Sequence, residues 1–327
     1  MPPQENTDHI RKLIAQYGQK GYQAAKKAIL TQRNMPKSVQ ETLRYFIEEI
    51  WQNTHHPALM ALSCAAAGGK PEAPNEVAAA LVLLTGAADM HDDIVDKSNT
   101  KGSKPTVLGK FGQDFALLAG DALLFKGLFL LHAACEDLPK RQRRAVMDAV
   151  ESAFFEIGNA MANEKQFVGR LDADPEEYRR IVNAKGAMSE CCTRIGAILA
   201  DAEPQKMEAL SHFGRTLGVL MTMRNEFADL LYPEELRNRV RNETLPLPLM
   251  YALRSKAIRK EILDLLSKRQ TNPNMEKVAR TAMKTKQVQI LKKEMEDMAD
   301  IEARLLQAAG VDIGSLVLLL RFSNSPP

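Results

Sequence analysis

Tryptophan occurs once in 327 residues, cysteine four times, and aromatic side chains make up only 6% of the chain. Cys64, Cys135 and the adjacent pair Cys191 and Cys192 lack the spacing of a zinc site or a disulfide framework, and read as reduced thiols. A surplus of one charge is also missing: 44 basic residues against 41 acidic ones leave a formal charge of +3, with no basic block. Nucleic acid is therefore not an implied partner. Residues 1–23 hold no apolar leader core, and no later stretch reaches the roughly 18 uncharged apolar residues that a membrane span needs. The expectation is a cytoplasmic protein without a transmembrane segment. Period-two alternation of β-branched residues between turn signals is absent too, which argues against a sheet.

What is present is a period near 3.6 in almost every long segment. Hydrophobic residues at 45% and charged ones at 26% suit a globular chain with a sizeable core. The pattern predicts helices over 6–32, 37–52, 57–67, 75–97, 112–134, 139–169, 175–200, 204–232, 246–253, 256–269, 273–309 and 312–321. Turn chemistry separates them in GGKPEAPN (68–75), DKSNTKGSKPT (96–106), DADP (172–175) and YPEE (232–235). No connector reads as a linker, so the expectation is one all-α domain over residues 1–327, a single large bundle of helices. The runs LVLLTGAADM and FALLAGDALLFKGLFLLHAA are apolar enough to be buried all round, and the polar residues inside them become the candidates for chemistry.

In TGAADMHDDIVDK, Asp89, Asp92, Asp93 and Asp96 stand at offsets 0, 3, 4 and 7 and so share one helix face. The preceding run AAALVLLTGAA is apolar, which turns the carboxylates toward an interior or a cavity. Burying them unpaired costs several kcal/mol each. Mg²⁺ relieves such a cluster, because it takes carboxylate oxygens and completes its shell with water and substrate phosphates. A solvated acidic face is the alternative that spacing alone leaves open.

The segment HDDIVDKSNTKGSKPTVLGKFG, followed by LLAGDALLF, is very similar to the first aspartate-rich region of trans-isoprenyl diphosphate synthases. Asp92, Asp93 and Asp96 match the family's DDxxD. Lys104, Pro105, Thr106 and Val107 match its Lys/Arg-Pro-Thr-Val, and Gly120 and Asp121 its Gly-Asp-x-Leu. The resemblance covers about residues 40–255. It implies a bundle of about 10–13 helices around a central substrate cavity, with Asp92, Asp93 and Asp96 binding Mg²⁺ that grips an allylic prenyl diphosphate. C–O heterolysis leaves a diphosphate anion and an allylic cation, so metal ions and basic side chains stabilise the departing charge. By the same resemblance Lys101, Lys104, Gln166 and Lys185 face the substrate. Ala87 and Ala88 would floor the hydrocarbon pocket, their small side chains leaving room for C15 or C20 tails. A homodimer, or a heterodimer with a related prenyltransferase, is implied as well.

The second metal motif departs from the family pattern: Asn225, Glu226 and Asp229 stand at its ligand positions, so Mg²⁺ binding there is expected to be weaker. The isopentenyl diphosphate site departs further. Trp51 to His56 stand where a GGKRxRP motif belongs, Thr85 replaces a histidine, and Gly102 replaces the second of two arginines, leaving Lys101 for the first. A second diphosphate thereby loses charge-assisted bonds. His55 and His56 compensate only if protonated, and their ordinary pKa lies near 6.5. Asp89 is expected to pair with an Arg or Lys. Three functions follow. The favoured one is ionisation of the allylic diphosphate with quenching that does not use isopentenyl diphosphate, as in terpene synthases. The others are ordinary chain elongation, and a non-catalytic subunit that modulates a catalytic prenyltransferase.

Overall fold

The computed structural model describes residues 3–102, 104–267 and 271–323. Among these the chain is all-α: sixteen α-helices, a π-helical turn at Phe46–Ile50, a 3-10 turn at Lys165–Phe167, and one antiparallel hairpin of two-residue strands. The residues gather into two compact units, one from Met1–Ala149 with Cys192–Met207, the other from Val150–Cys191 with Glu208–Pro327.

The first unit contains α1 (Pro3–Leu30), α2 (Lys37–Tyr45), α3 (His55–Ala66), α4 (Asn75–Asp96), α5 (Val107–Phe111) and α6 (Gln113–Ala134), and the start of α7 (Lys140–Glu164). Helix α4 is buried continuously from Val77 to Ala87, as its unbroken apolar run requires. It lies close against α6 because α6 supplies glycines at the contact. A Cβ on Gly127 would stand 2.7 Å from Leu84 Cγ, and one on Gly120 would stand 2.5 Å from His91 Nε2. The single tryptophan, Trp51, stacks on Phe46 with ring centroids 6.0 Å apart, donates from Nε1 to Val82 O at 3.1 Å, and lies over Gly86. Helix α4 stops at Lys97, whose left-handed backbone (φ 56°) turns the chain into the hairpin β1 (Thr100–Lys101) and β2 (Lys104–Pro105). Thr106 closes the turn. Its hydroxyl donates to Ser98 O at 2.7 Å and accepts from Gly109 N at 3.0 Å, capping α5.

By length and composition α6 is apolar enough to cross a membrane, although it carries Asp114, Asp121 and Lys126 and one side of it packs on α4. Its opposite side is exposed and apolar, with Phe125 61% and Phe129 71% accessible. Burial all round, expected from its sequence, therefore holds for α4 and not for α6.

The second unit holds the rest of α7, α8 (Pro175–Lys185), most of α10 (Pro204–Leu231), α11 (Pro233–Asn242), α12 (Leu247–Leu253), α13 (Lys256–Ser267), α14 (Asn272–Met283), α15 (Lys286–Ala308) and α16 (Gly314–Ser323). α9 (Ala187–Leu199) passes from this unit to the first. Several boundaries differ from the periodic pattern for local reasons. The helix expected over 175–200 breaks at Gly186, where an added Cβ would stand 2.9 Å from Arg215 O. The one expected over 273–309 breaks at Thr285, whose hydroxyl accepts from Val288 N and starts α15. Pro233 opens α11 where only a turn was expected, as proline does at a first helical position. Residues 268 and 269, expected to end a helix, lie outside the described residues.

Candidate active site

The last two turns of α4 carry the aspartates. Asp93 is buried, at 4% exposure, while Asp89, Asp92 and Asp96 are half-buried on the same helix. Lys101, delivered by the hairpin, lies between two of them: its Nζ is 2.5 Å from Asp89 Oδ2 and 3.2 Å from Asp93 Oδ1. The cationic partner expected for Asp89 is present, and it comes from the loop rather than from a neighbouring helix. Burial pushes the Asp93 carboxyl up to about 6, against the pull of Lys101. For Lys101 the balance goes the other way: burial lowers its pKa, and Asp89 and Asp93 raise it by more. Lys104 Nζ, exposed on β2, donates to Glu49 Oε2 at 2.9 Å and to Glu49 O at 3.1 Å. The Lys104 hydrogen bond holds the Glu49 carboxyl below its usual range.

Among the described residues no three His, Cys, Asp or Glu side chains form a ready-made metal cage. Mg²⁺ does not require one, since it is usually held by one or two carboxylates together with waters and substrate phosphates. A half-buried row of carboxylates, with Asp93 raised by burial, fits an ion that arrives with a diphosphate.

Near the start of α3, Asn53 Nδ2 lies 2.8 Å from His56 Nδ1 and 3.4 Å from the Thr85 hydroxyl, and Asn53 Oδ1 accepts from His56 N at 3.2 Å. Thr85 itself is buried and donates to Leu81 O at 2.6 Å. Burial lowers His55 to about 4, and burial with the neighbouring His55 lowers His56 to about 3. Both rings are neutral at pH 7, so neither supplies the cationic compensation considered for a second diphosphate. The sign of the consequence follows from linkage. Above the ordinary value of 6.5 both states are neutral; below it the unfolded chain takes up protons that the folded chain refuses. Asp93 and Asp229, raised to about 6, act in the opposite sense, so we predict the histidine contribution as a difference: between pH 6.5 and 4 the parent loses more stability in urea, or gains less, than the double variant His55→Gln, His56→Gln. An equal slope in the variant would contradict the assigned burial.

The second unit holds its own polar cluster. Lys185 Nζ lies 2.5 Å from Glu164 Oε2, and the single proton of the Tyr178 hydroxyl is shared between Glu164 Oε1 at 2.7 Å and Glu226 Oε1 at 3.1 Å. Arg239 Nη2 contacts Glu226 Oε1 and Oε2 at 3.2 and 3.1 Å, and its Nη1 lies 2.5 Å from Asp229 Oδ2. Its Nε donates to Thr244 O at 2.6 Å. Burial lowers the pKa of Arg239, but Glu226, Tyr178, Asp229 and Glu243 outweigh it and hold the guanidinium charged. Burial pushes Asp229 up to about 6 in spite of Arg239. Burial also raises Glu164, yet Lys185, Tyr178 and Arg239 together more than offset this and keep it below its usual range.

The sequence profile of the Polyprenyl synthetase family matches residues 37–285. The chain belongs to the polyprenyl synthetase family. Among curated relatives, the short chain isoprenyl diphosphate synthase of Methanothermobacter thermautotrophicus is 31% identical over 180 residues, 55% of this chain and 54% of that protein. The geranylgeranyl diphosphate synthase of Methanosarcina mazei is 29% identical over 211 residues, 64% of each chain. The matched region thus spans between about half and two thirds of these relatives. The crystal structure of geranylgeranyl pyrophosphate synthetase from Pyrococcus horikoshii Ot3 superposes with a TM-score of 0.83 at 21% identity, covering 97% of this chain and 99% of that one. That likeness establishes the isoprenoid synthase fold.

Within this polyprenyl synthetase chain the remaining sequence candidates are placed as follows. Ala87 is buried in the apolar core of the first unit with Phe46, Leu83 and Met90, and Ala88 is half-buried. Gln166 is exposed on the 3-10 turn, and Asn225 is exposed on α10. Sequence reasoning missed Glu164, Tyr178 and Arg239. Arg239 stands ten residues beyond Asp229 in the basic run RNRVRN, and its role was hidden because α11 was not expected.

Proposed function

We propose that the chain is a Mg²⁺-dependent, chain-elongating prenyl diphosphate synthase that ionises a C15 or C20 allylic diphosphate at Asp92, Asp93 and Asp96 and condenses it with isopentenyl diphosphate. The observation that carries this is the α4 aspartate face joined to the Lys101–Lys104 hairpin, in a chain whose relatives bear the names of elongating synthases. Elongation here replaces the quenching that the sequence alone favoured. Asp92, Asp93 and Asp96 would hold Mg²⁺, which when bound supplies Lewis-acid stabilisation of the departing diphosphate. Lys101 holds Asp89 and Asp93 apart in charge and presents its ammonium to the same face. Lys104 offers an exposed ammonium one hairpin step away. Within the second unit, Lys185, oriented by Glu164, and the exposed Gln166 are further candidates for contact with substrate. Ala88, half-buried on α4, keeps the adjacent wall small enough for a long tail, whereas Ala87 packs inside the core behind it. We take residues 1–327 as one domain, working in the cytoplasm. The exposed apolar side of α6, with Leu118, Phe125 and Phe129, is assigned to a second copy of the chain or a related prenyltransferase.

A second reading is favoured by one observation. The corner at Asn53, His55, His56 and Thr85 carries no cation, which suits an enzyme that ionises the allylic diphosphate and quenches it without isopentenyl diphosphate. Pyrophosphate release from a C15 diphosphate separates the two. Elongation predicts release that needs both isopentenyl diphosphate and Mg²⁺ and stops with EDTA. Release without isopentenyl diphosphate assigns the quenching chemistry instead, and silence under every condition assigns the non-catalytic subunit.

A further inference from the structure

The second carboxylate cluster has a donor set already in place. A carboxylate offers about four lone-pair sites. At Glu226 these are taken by Tyr178 OH and Arg239 Nη2 at Oε1, and by Arg239 Nη2 and Leu247 N at Oε2, the last at 2.8 Å. Glu226 is 3% exposed and Arg239 8%, so this is a built interior contact and not a surface ion pair. Asp229 reaches the same guanidinium through Nη1, and Glu243 Oε2 lies 3.5 Å from Nε. Asn225, the third expected ligand, is exposed. With both Glu226 oxygens filled and Asp229 Oδ2 on the same guanidinium, the cluster does not fit a divalent ion, which would meet a resident cation and find no open oxygen on Glu226.

We infer that Arg239 is a built-in cation standing in for a metal ion at this position, so that Glu226 and Asp229 lock α10 to α11 and to the start of α12 and do not bind a divalent ion. The lock continues through Tyr178 to Glu164 and Lys185, which ties the orientation of the Lys185 ammonium to the Arg239 centre. Arginine suits the place better than lysine, because its planar fork meets two carboxylates and a carbonyl at once. This inference rests on the reading that metal binds at Asp92, Asp93 and Asp96, and the two are tested by separate variants.

The experiment is a Mn²⁺ titration of the full chain, with free ion counted by electron paramagnetic resonance. Asp93→Asn is expected to weaken Mn²⁺ binding at least 10-fold, whereas Asp229→Asn leaves number and affinity within 2-fold of the parent. Removing the built-in cation should open a vacancy: Arg239→Ala is expected to gain one Mn²⁺ per chain and to be stabilised against heat by that ion. If Arg239→Ala does not fold, Asp229→Asn still decides. A 10-fold loss of Mn²⁺ affinity in Asp229→Asn would overturn the lock. Indifference of Asp93→Asn would overturn the first metal site and leave the Asp229 result to decide the lock.

Discussion

Asp93→Ala lowers kcat/KM for the allylic diphosphate by about 100-fold to 1000-fold, the size of effect seen when one preorganised stabiliser of developing charge is removed. The structure makes this a test of function more than of folding. Asp93 is buried at the end of α4 and raised by that burial, so its charged form is maintained at a cost that the fold does not need. Lys101 keeps its 2.5 Å contact with Asp89 when Asp93 is gone, which leaves no uncompensated charge behind. The urea midpoint of Asp93→Ala should therefore lie at or above that of the parent while turnover collapses. Wild-type turnover in Asp93→Ala would remove the aspartate face from the mechanism. Loss of turnover together with loss of the folded state would make Asp93 a structural residue.

The largest stability effect belongs to Arg239→Ala, at about 3–5 kcal/mol, because removing one partner of a buried ion pair strands the others. Glu226 retains Tyr178 OH and Leu247 N but loses the guanidinium, and Asp229 and Thr244 O lose the same partner. Arg239→Lys should recover little of this, since one ammonium cannot serve Glu226, Asp229 and Thr244 O together. Urea denaturation followed by circular dichroism measures both variants. A loss below about 1 kcal/mol, the range of a surface salt bridge, would show that the contacts around Arg239 carry little energy.

The helical class and the aspartate face were legible because both are periodic. Offsets of 3, 4 and 7 place carboxylates on one side of any helix, and the apolar run before them fixes which helix it is. In the sequence Trp51 is only a mismatch to the isopentenyl diphosphate motif, while its stacking on Phe46 and its bond to Val82 O depend on a π-helical turn that no period announces. The pairing of Lys101 with Asp89 and Asp93 was hidden for a similar reason, since a left-handed residue at Lys97 and a two-residue hairpin decide where that ammonium goes. The Arg239 centre was the least legible. Its members come from α7, α8, α10 and α11, and only tertiary packing brings Glu164, Tyr178, Glu226 and Arg239 to one point. The neutral state of His55 and His56 likewise belongs to burial, which composition does not reveal.

The measurement that bears most directly on the central claim is mass spectrometry of dephosphorylated products after the purified protein is incubated with Mg²⁺, a C15 or C20 allylic diphosphate and isotope-labelled isopentenyl diphosphate. The account predicts longer prenyl alcohols that carry whole labelled C5 units, absent when isopentenyl diphosphate is withheld and absent in Asp93→Ala. Unlabelled hydrocarbon or alcohol, formed equally with and without isopentenyl diphosphate, would contradict it.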